Sequence, residues 1–222
     1  MTNTVFLTKA PAHSLLQTAR QASAKVNANS LDSPTFRHRA VMGLFPSFDD
    51  ANPRSRANIL FRLETPATEA PYFLIQSSIE PAQDETGEIV TKEVETALPE
   101  VGSTVVFRIA VNAIRRESFT NASGKRSYRI TPVPADHEET ELNTISTWLS
   151  NKLSPAFAEL EITNHRRNVL SDGRSHSMTV QVDSIDGVAT VGDSTALAAA
   201  LRDGVGREKA YGCGLLTIRP LV

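Results

Sequence analysis

Apolar residues along this chain come in short blocks. Some alternate with polar residues, as strands do, and others recur every three or four positions, as helix faces do. Asn3 to Thr8 reads as a first strand around Val5, Phe6 and Leu7. His13 to Asp32 is polar and rich in Ala and Ser, part helix and part loop. SPTFRHRAVMGLFP, Ser33 to Pro46, predicts a helix: Ser33 suits the cap and Pro34 the first helical position. Phe36, Ala40, Val41 and Leu44 then fall on one face. Phe48 to Arg56 reads as loop. Ile59 to Leu63 and Tyr72 to Ile79 read as a hairpin, and Glu88 to Val94 as a short further strand.

Pro99 to Ser103 marks a boundary. Beyond it, Thr104 to Ala113 predicts a buried strand continuing into Arg115 and Arg116, with Lys125 to Ile130 as its partner after a turn at Asn121 to Gly124. Glu138 to Leu153 is helical in pattern, with Leu142, Ile145, Leu149 and Leu153 on one side and Trp148 near that core-facing side. Phe157 to Thr163 and Met178 to Ile185 are strands bracketing the polar segment NHRRNVLSDGRSH, which turns at Asp172–Gly173. Asp193 caps a last helix, Ser194 to Arg202, which ends at Gly204, and Gly214 to Pro220 is the final strand. The expected fold is α+β: two tandem ferredoxin-like (RRM-like) domains, residues 1–100 and 101–222. No residue-level repeat relates the halves, so the duplication follows from element order alone.

The 222 residues are 40% hydrophobic and 22% charged, ordinary for a globular protein with a core. No apolar run reaches the ~20 residues of a membrane span. The start, MTNTVFLTKAPAH, lacks the basic-then-apolar order of a secretory signal. The single cysteine, Cys213, rules out an internal disulfide framework and fits a reducing compartment, so a cytoplasmic location is expected. The net charge of −2 hides local patches. Residues 80–100 set seven acids against Lys92, and residues 108–131 set six cations against Glu117.

Two stretches carry candidate chemistry. In GVGREKAYGCGLLTIRP, Gly204 to Pro220, the glycines Gly204, Gly206, Gly212 and Gly214 surround Arg207 and Lys209. Glycine lets a backbone approach a ligand and turn N–H groups to an anion, and the cations add donors for phosphate. The pattern reads as a phosphate cradle or, more plainly, as a turn into the last strand. His38 lies opposite the apolar stripe of its helix, between Arg37 and Arg39, which argues against a core histidine and leaves a working or an idle surface one. His13, His38, His137, His165 and His176 show no metal-ligand spacing with one another or with Cys213.

GREKAYGCGLLTIRP resembles the glycine-rich signature of the repeat-associated mysterious protein superfamily, and together with SPTFRHRAVMGLFP it resembles the CasE family. These are CRISPR repeat-RNA endoribonucleases of type I-E systems. The resemblance implies binding to the stem-loop of CRISPR repeat RNA and cleavage at the 3′ base of the stem without metal or other cofactor. A 2′-hydroxyl attacks the adjacent phosphate, leaving a 2′,3′-cyclic phosphate and a 5′-hydroxyl. It further implies that the protein stays on its product among the other Cascade subunits. It places catalysis on His38 and Arg39, with Arg37 beside them as an RNA contact. It places further RNA contacts on Gly204, Gly206, Arg207, Lys209, Gly212 and Gly214, and on two basic segments: Arg115, Arg116, Lys125 and Arg126, and Arg166, Arg167 and Arg174. The tyrosine that many members carry three residues before the histidine is Thr35 here, to which no catalytic role is assigned; the tyrosine's role is either dispensable or taken by Tyr211 or Tyr128. The alternatives are a non-catalytic RNA-binding subunit of the same complex, or an unrelated double ferredoxin-like interaction protein.

Overall fold

In the computed structural model, residues 3–22, 26, 28–46, 57–82, 87–173 and 178–221 are described. The first unit runs β1 (Asn3–Pro11), α1 (Ala12–Ala22), a 3-10 turn (Ala28–Asp32), α2 (Pro34–Met42), β2 (Leu60–Glu64), β3 (Tyr72–Ser77) and β4 (Val90–Thr96). Its antiparallel sheet has the order β2-β3-β1-β4. The second unit runs β5 (Thr104–Val111), β6 (Ile114–Thr120), β7 (Arg126–Pro132), α3 (Ile145–Leu153), β8 (Phe157–Ser171), β9 (Thr179–Val191), α4 (Ser194–Asp203), a 3-10 turn (Lys209–Tyr211) and β10 (Leu216–Pro220). Its sheet order is β10-β5-β9-β8. Numbered within each four-stranded sheet, both read 4-1-3-2, so the two halves share one ferredoxin-like topology although their residues do not repeat.

Each sheet buries one face under its helices. Phe61, Phe73 and Ile75 pack with Leu15 and Val41 in the first unit, and Phe107, Ile109 and Ile185 with Leu149 and Leu197 in the second. Trp148 packs partly buried against the second core. Helix starts follow the cap chemistry. The Ser33 hydroxyl accepts from the Phe36 N–H at 3.0 Å, and the Asp193 carboxylate accepts from the Ala196 N–H at 2.7 Å.

The structure departs from the sequence expectation in four places. The helix expected from Glu138 starts only at Ile145, because the Asp136 carboxylate, ten residues back, accepts from the Ser146 N–H and hydroxyl at 3.1 and 2.7 Å. The strand expected to continue into Arg115 and Arg116 stops at Val111, and β6–β7 forms a separate two-stranded ribbon. The polar segment after Thr163 is strand, not loop. β8 continues to Ser171, pairs with β9 along its length and carries register shifts between Phe157 and Glu159 and between Ile162 and Asn164. The fully buried positions of α2 are Pro34, Arg37 and Val41, while Phe36, Ala40 and Leu44 line a cavity shared with α1. The loop expected at Phe48 to Arg56 lies outside the described residues.

The units are joined by a buried guanidinium. Arg62, 5% exposed, donates to Glu64 at 2.6 Å within β2. It also crosses to the second unit, donating to the Leu215 carbonyl at 3.0 Å, the Arg108 carbonyl at 3.2 Å and the Thr217 hydroxyl at 2.9 Å. Burial pulls its pKa down and Glu64 opposes the shift. Arg108 extends the chain of charges, bonding Glu64 at 3.0 Å and Asp186. Nearby, amides of the first unit meet the free carbonyls at the end of α4: Gln76 donates to Leu201 at 2.8 Å and Asn58 to Arg202 at 2.5 Å.

Replacing Arg62 with Ala leaves the Glu64 carboxylate and two backbone carbonyls without these donors. The expected loss is about 3–5 kcal/mol of unfolding free energy, read from urea melts. Asp186 supplies a pH signature. Burial alone would raise its pKa, but hydrogen bonds from Arg108 and Asn164 outweigh burial and hold it below the ordinary 3.8. A depressed carboxylate stabilises above its unfolded pKa and stops doing so as pH falls through the folded one. The melting-temperature gap between wild type and Asp186→Asn is therefore expected to be full at pH 7 and to shrink below about 3.8.

Candidate active site

The helix near one end of the chain meets the loop near the other. The Tyr211 ring in the C-terminal 3-10 turn stands edge-on to the imidazole of His38 on α2, with centroids 6.1 Å apart and planes at 64°. The loop folds this way because its glycines occupy backbone that other residues resist. Gly204 has φ 71°, and a Cβ there would fall 2.8 Å from the Leu60 side chain of β2. Gly214 has φ 91° and lies under the stem of Lys209.

The amides that the cradle reading turned toward an anion are largely spent inside the protein. The Gly214 N–H donates to Ala110 at 2.6 Å, the Val205 N–H to Gly214 at 2.9 Å, and the Gly204 N–H to Ala200 at 3.0 Å. Gly212 and Gly214 are buried. The glycines thus permit close packing of loop on sheet, and the part of the loop open to solvent is Gly206 and Arg207. Lys209 donates to the Asp203 carbonyl at 2.6 Å, so its ammonium closes the end of α4.

The cations divide in the same way. Arg37, expected at the surface, is 5% exposed and donates to the Leu31 carbonyl at 2.6 Å. Burial pulls its pKa down to about 10, with Asp32 and Cys213 opposing, so it remains charged at neutral pH and anchors α2 beside Gly212. Arg167 bonds Asp183 at 2.7 Å and the Val133 carbonyl at 2.6 Å. Asp183, with no exposure, also holds His165 at 2.8 Å and Gln181 at 2.7 Å, making a closed polar cluster between strands. Arg37 is a buried strut and Arg167 a half-buried one, and in both the guanidinium is tied to groups of the protein that one sequence does not reveal.

Arg39, Arg116, Lys125, Arg126, Arg166 and Arg207 are exposed. Arg39 lines a cavity of about 1020 Å³ between α1, α2 and the tip of the β8–β9 hairpin. On the ribbon, Arg116 stacks over Tyr128 at 3.8 Å, Arg126 lies 5.8 Å from the same ring, and Arg115 pairs with Glu117 at 3.1 Å. Tyr128 is thereby engaged on the ribbon, and Tyr211 is the tyrosine that accompanies His38. Arg174 lies outside the described residues. Cys213 is fully buried and burial pushes its thiol pKa up, which suits packing and not nucleophilic work. Among the described residues no group of three or more His, Cys, Asp or Glu side chains is placed to hold a metal, and no helix is long and apolar enough to cross a membrane.

The model of a family described as CRISPR associated protein matches residues 6–220. The Cascade subunit CasE of Escherichia coli (strain K12) is 30% identical over 192 residues, covering 83% of this chain and 90% of that one. The chain belongs to the CasE family. The crystal structure of Cas6e from Escherichia coli K-12 superposes with a TM-score of 0.67 at 24% identity, over 98% of this chain and 100% of that one, a likeness of fold. A structure of the CRISPR endoribonuclease Cse3 bound to 19 nt RNA superposes with a TM-score of 0.63 at 26% identity, also over 98% and 100%. This CasE-family chain therefore pairs the family's tandem fold with a helix–loop junction whose facing rings, His38 and Tyr211, sit more than 170 residues apart in sequence.

Arg166 and Arg167 are adjacent in sequence and differ in setting: Arg166 is exposed, and Arg167 is tied to Asp183 and the Val133 carbonyl. Arg166→Ala is expected to flatten the salt dependence of repeat-RNA binding by about 0.7–0.9 in the log–log slope with melting unchanged. Arg167→Ala is expected to cost about 2 kcal/mol of stability through the buried Asp183. Filter binding across a salt series, with thermal melts, separates the two.

Proposed function

We propose that this protein is the endoribonuclease that matures CRISPR RNA in its system. It binds the stem-loop of the repeat, cuts at the 3′ base of the stem and stays on the product as a Cascade subunit. The observation that carries the reading is the meeting of His38 with the C-terminal loop, in a family whose relatives include a Cascade subunit and an endoribonuclease bound to RNA. Residues 1–100 form the domain that bears the catalytic helix, and residues 101–222 the domain that bears the basic arms and the glycine loop.

The reaction requires no metal. The ribose 2′-oxygen bonds to the adjacent phosphorus, the bond to the 5′-oxygen breaks, and one proton moves from the 2′-hydroxyl to the departing 5′-oxygen through intermediate carriers. The products are a 2′,3′-cyclic phosphate and a 5′-hydroxyl, and no co-reactant enters. His38 is one of the carriers, since imidazole gives and takes protons near neutral pH. Arg39, the next residue on α2, is exposed about 100° around the helix from His38, and its long guanidinium arm offsets charge that builds in the transition state. Tyr211 flanks the imidazole and fixes the ring's setting.

The exposed cations hold the RNA. A-form RNA offers side chains a deep, narrow major groove and its phosphates, so recognition of the stem rests on shape and charge. Arg116, Lys125 and Arg126 of the ribbon with the half-buried Arg115 beside them, Arg166 of β8 and Arg207 of the loop supply that charge, and Arg174, outside the described residues, is assigned to the same set. Arg37, Arg167, Lys209, Gly204, Gly212 and Gly214 keep the surface in place from beneath, and Gly206 leaves room at the loop's open end.

The test is incubation with cognate repeat RNA in a chelator, followed by gel analysis. Wild type is expected to cut once, and His38→Ala to bind with little change and cut at least about a hundredfold more slowly. A 2′-deoxy substitution at the cut site is expected to abolish cleavage in every protein. Binding without cutting by wild type would identify a non-catalytic subunit, and cutting of the 2′-deoxy RNA would remove the proposed nucleophile.

A further inference from the structure

The β8–β9 hairpin outruns its sheet. β5 pairs with β9 only as far as Val111 opposite Asp183, while β8 and β9 continue together to Ser171 opposite Thr179. The extension is a two-stranded arm, and its inner side is not bare. Leu170, Val180 and Val182 pack with Ala110 and Cys213, with Tyr211 against them. Just past its last paired residue, Asp172 reaches the other domain. Its carboxylate accepts from the Thr35 hydroxyl at 2.6 Å, from the Thr35 N–H at 3.3 Å and from the Ser33 hydroxyl. These groups form the first turn of α2, where a negative charge is favoured by the helix dipole and the open N–H groups.

The contacts close a ring. Asp172 holds the start of α2, and Thr35 stands three residues before His38, on the same side of the helix. His38 meets Tyr211. Tyr211 packs against the arm's inner side, and the arm leads back to Asp172. α2 is nine residues long, so a shift at its first turn is carried to the imidazole one turn on.

We propose that Asp172 is a positioning residue for cleavage: through Thr35 it sets the register of α2 and so the setting of His38 against Tyr211. Thr35, standing where many family members carry a tyrosine, is the receptor for this tether and touches no substrate. The inference rests on the endoribonuclease reading above and adds to it a residue without a phosphate or proton role.

The experiment compares Asp172→Ala, Thr35→Val and the double variant by three measurements: single-turnover cleavage of cognate repeat RNA at saturating protein, RNA affinity, and melting temperature. Each single variant is expected to lose about ten- to a hundredfold in the cleavage rate, the penalty of a small misplacement. RNA affinity is expected to stay within about threefold, and the double variant to be no slower than the slower single, because the two groups act as one contact. Thr35→Val keeps the side chain's shape, so it reads the tether even if Asp172→Ala melts early. Rates equal to wild type, rate losses matched by losses in affinity and melting temperature, or single effects that multiply would each overturn the proposal. His38→Ala, run alongside, tells the two readings apart. A dead His38→Ala beside a fully active Asp172→Ala defeats the tether alone, while a fully active His38→Ala, or a wild type that does not cut, defeats the endoribonuclease and the tether with it.

Discussion

The structure depends on a charge removed from water. Arg62 lies on β2 of one sheet, yet most of its hydrogen bonds reach the other unit, at Arg108, Leu215 and Thr217. A guanidinium in that position is tolerated only because Glu64 shares its burial and carbonyls meet its remaining donors. The partners are directional and few, so they specify one orientation of the two units. Leu215 follows directly on the glycine loop, and the same bond that docks the units therefore brings that loop to α2. The helix–loop junction is a downstream effect of this docking.

A second constraint governs the surface. The chain has nearly balanced charge, and the structure pairs three arginines with acids of the two sheets: Arg62 with Glu64, Arg108 with Glu64 and Asp186, Arg167 with Asp183. Exposed cations remain on the ribbon, on β8 and on the loop, at Arg116, Lys125, Arg126, Arg166 and Arg207. Net charge is therefore a poor guide to the field a polyanion would meet, because charges are distributed in patches and several are tied to partners within the fold.

The order of elements was legible in the sequence because strand and helix periods are local. The caps at Ser33, Asp193 and Gly204 were legible for the same reason: each serves groups within a few residues. The assignment of His38 and the C-terminal loop to one RNA came through family likeness, not from periodicity. The inward ties of Arg37 and Arg167 were not legible, since an arginine in a polar run looks the same whether its partner is water or a group of the protein. The late start of α3 was hidden too, because the competing acceptor, Asp136, lies ten residues away and outside any helical window. Asp172 looked like a turn residue before a glycine, and its partners on α2 lie 137 and 139 positions earlier.

The irregular spacing of β8 against β9 has a consequence for the molecule's outer margin. β8 is the last strand of its sheet, fifteen residues long, and a straight margin of that length would offer a row of unused backbone groups to any passing strand. The two shifts bend it, and exposed Glu159, Glu161 and Arg166 stud it with charge. The longest strand in the fold is thereby made a poor template for self-association, which leaves the tip of its hairpin to engage α2 and not another copy of itself.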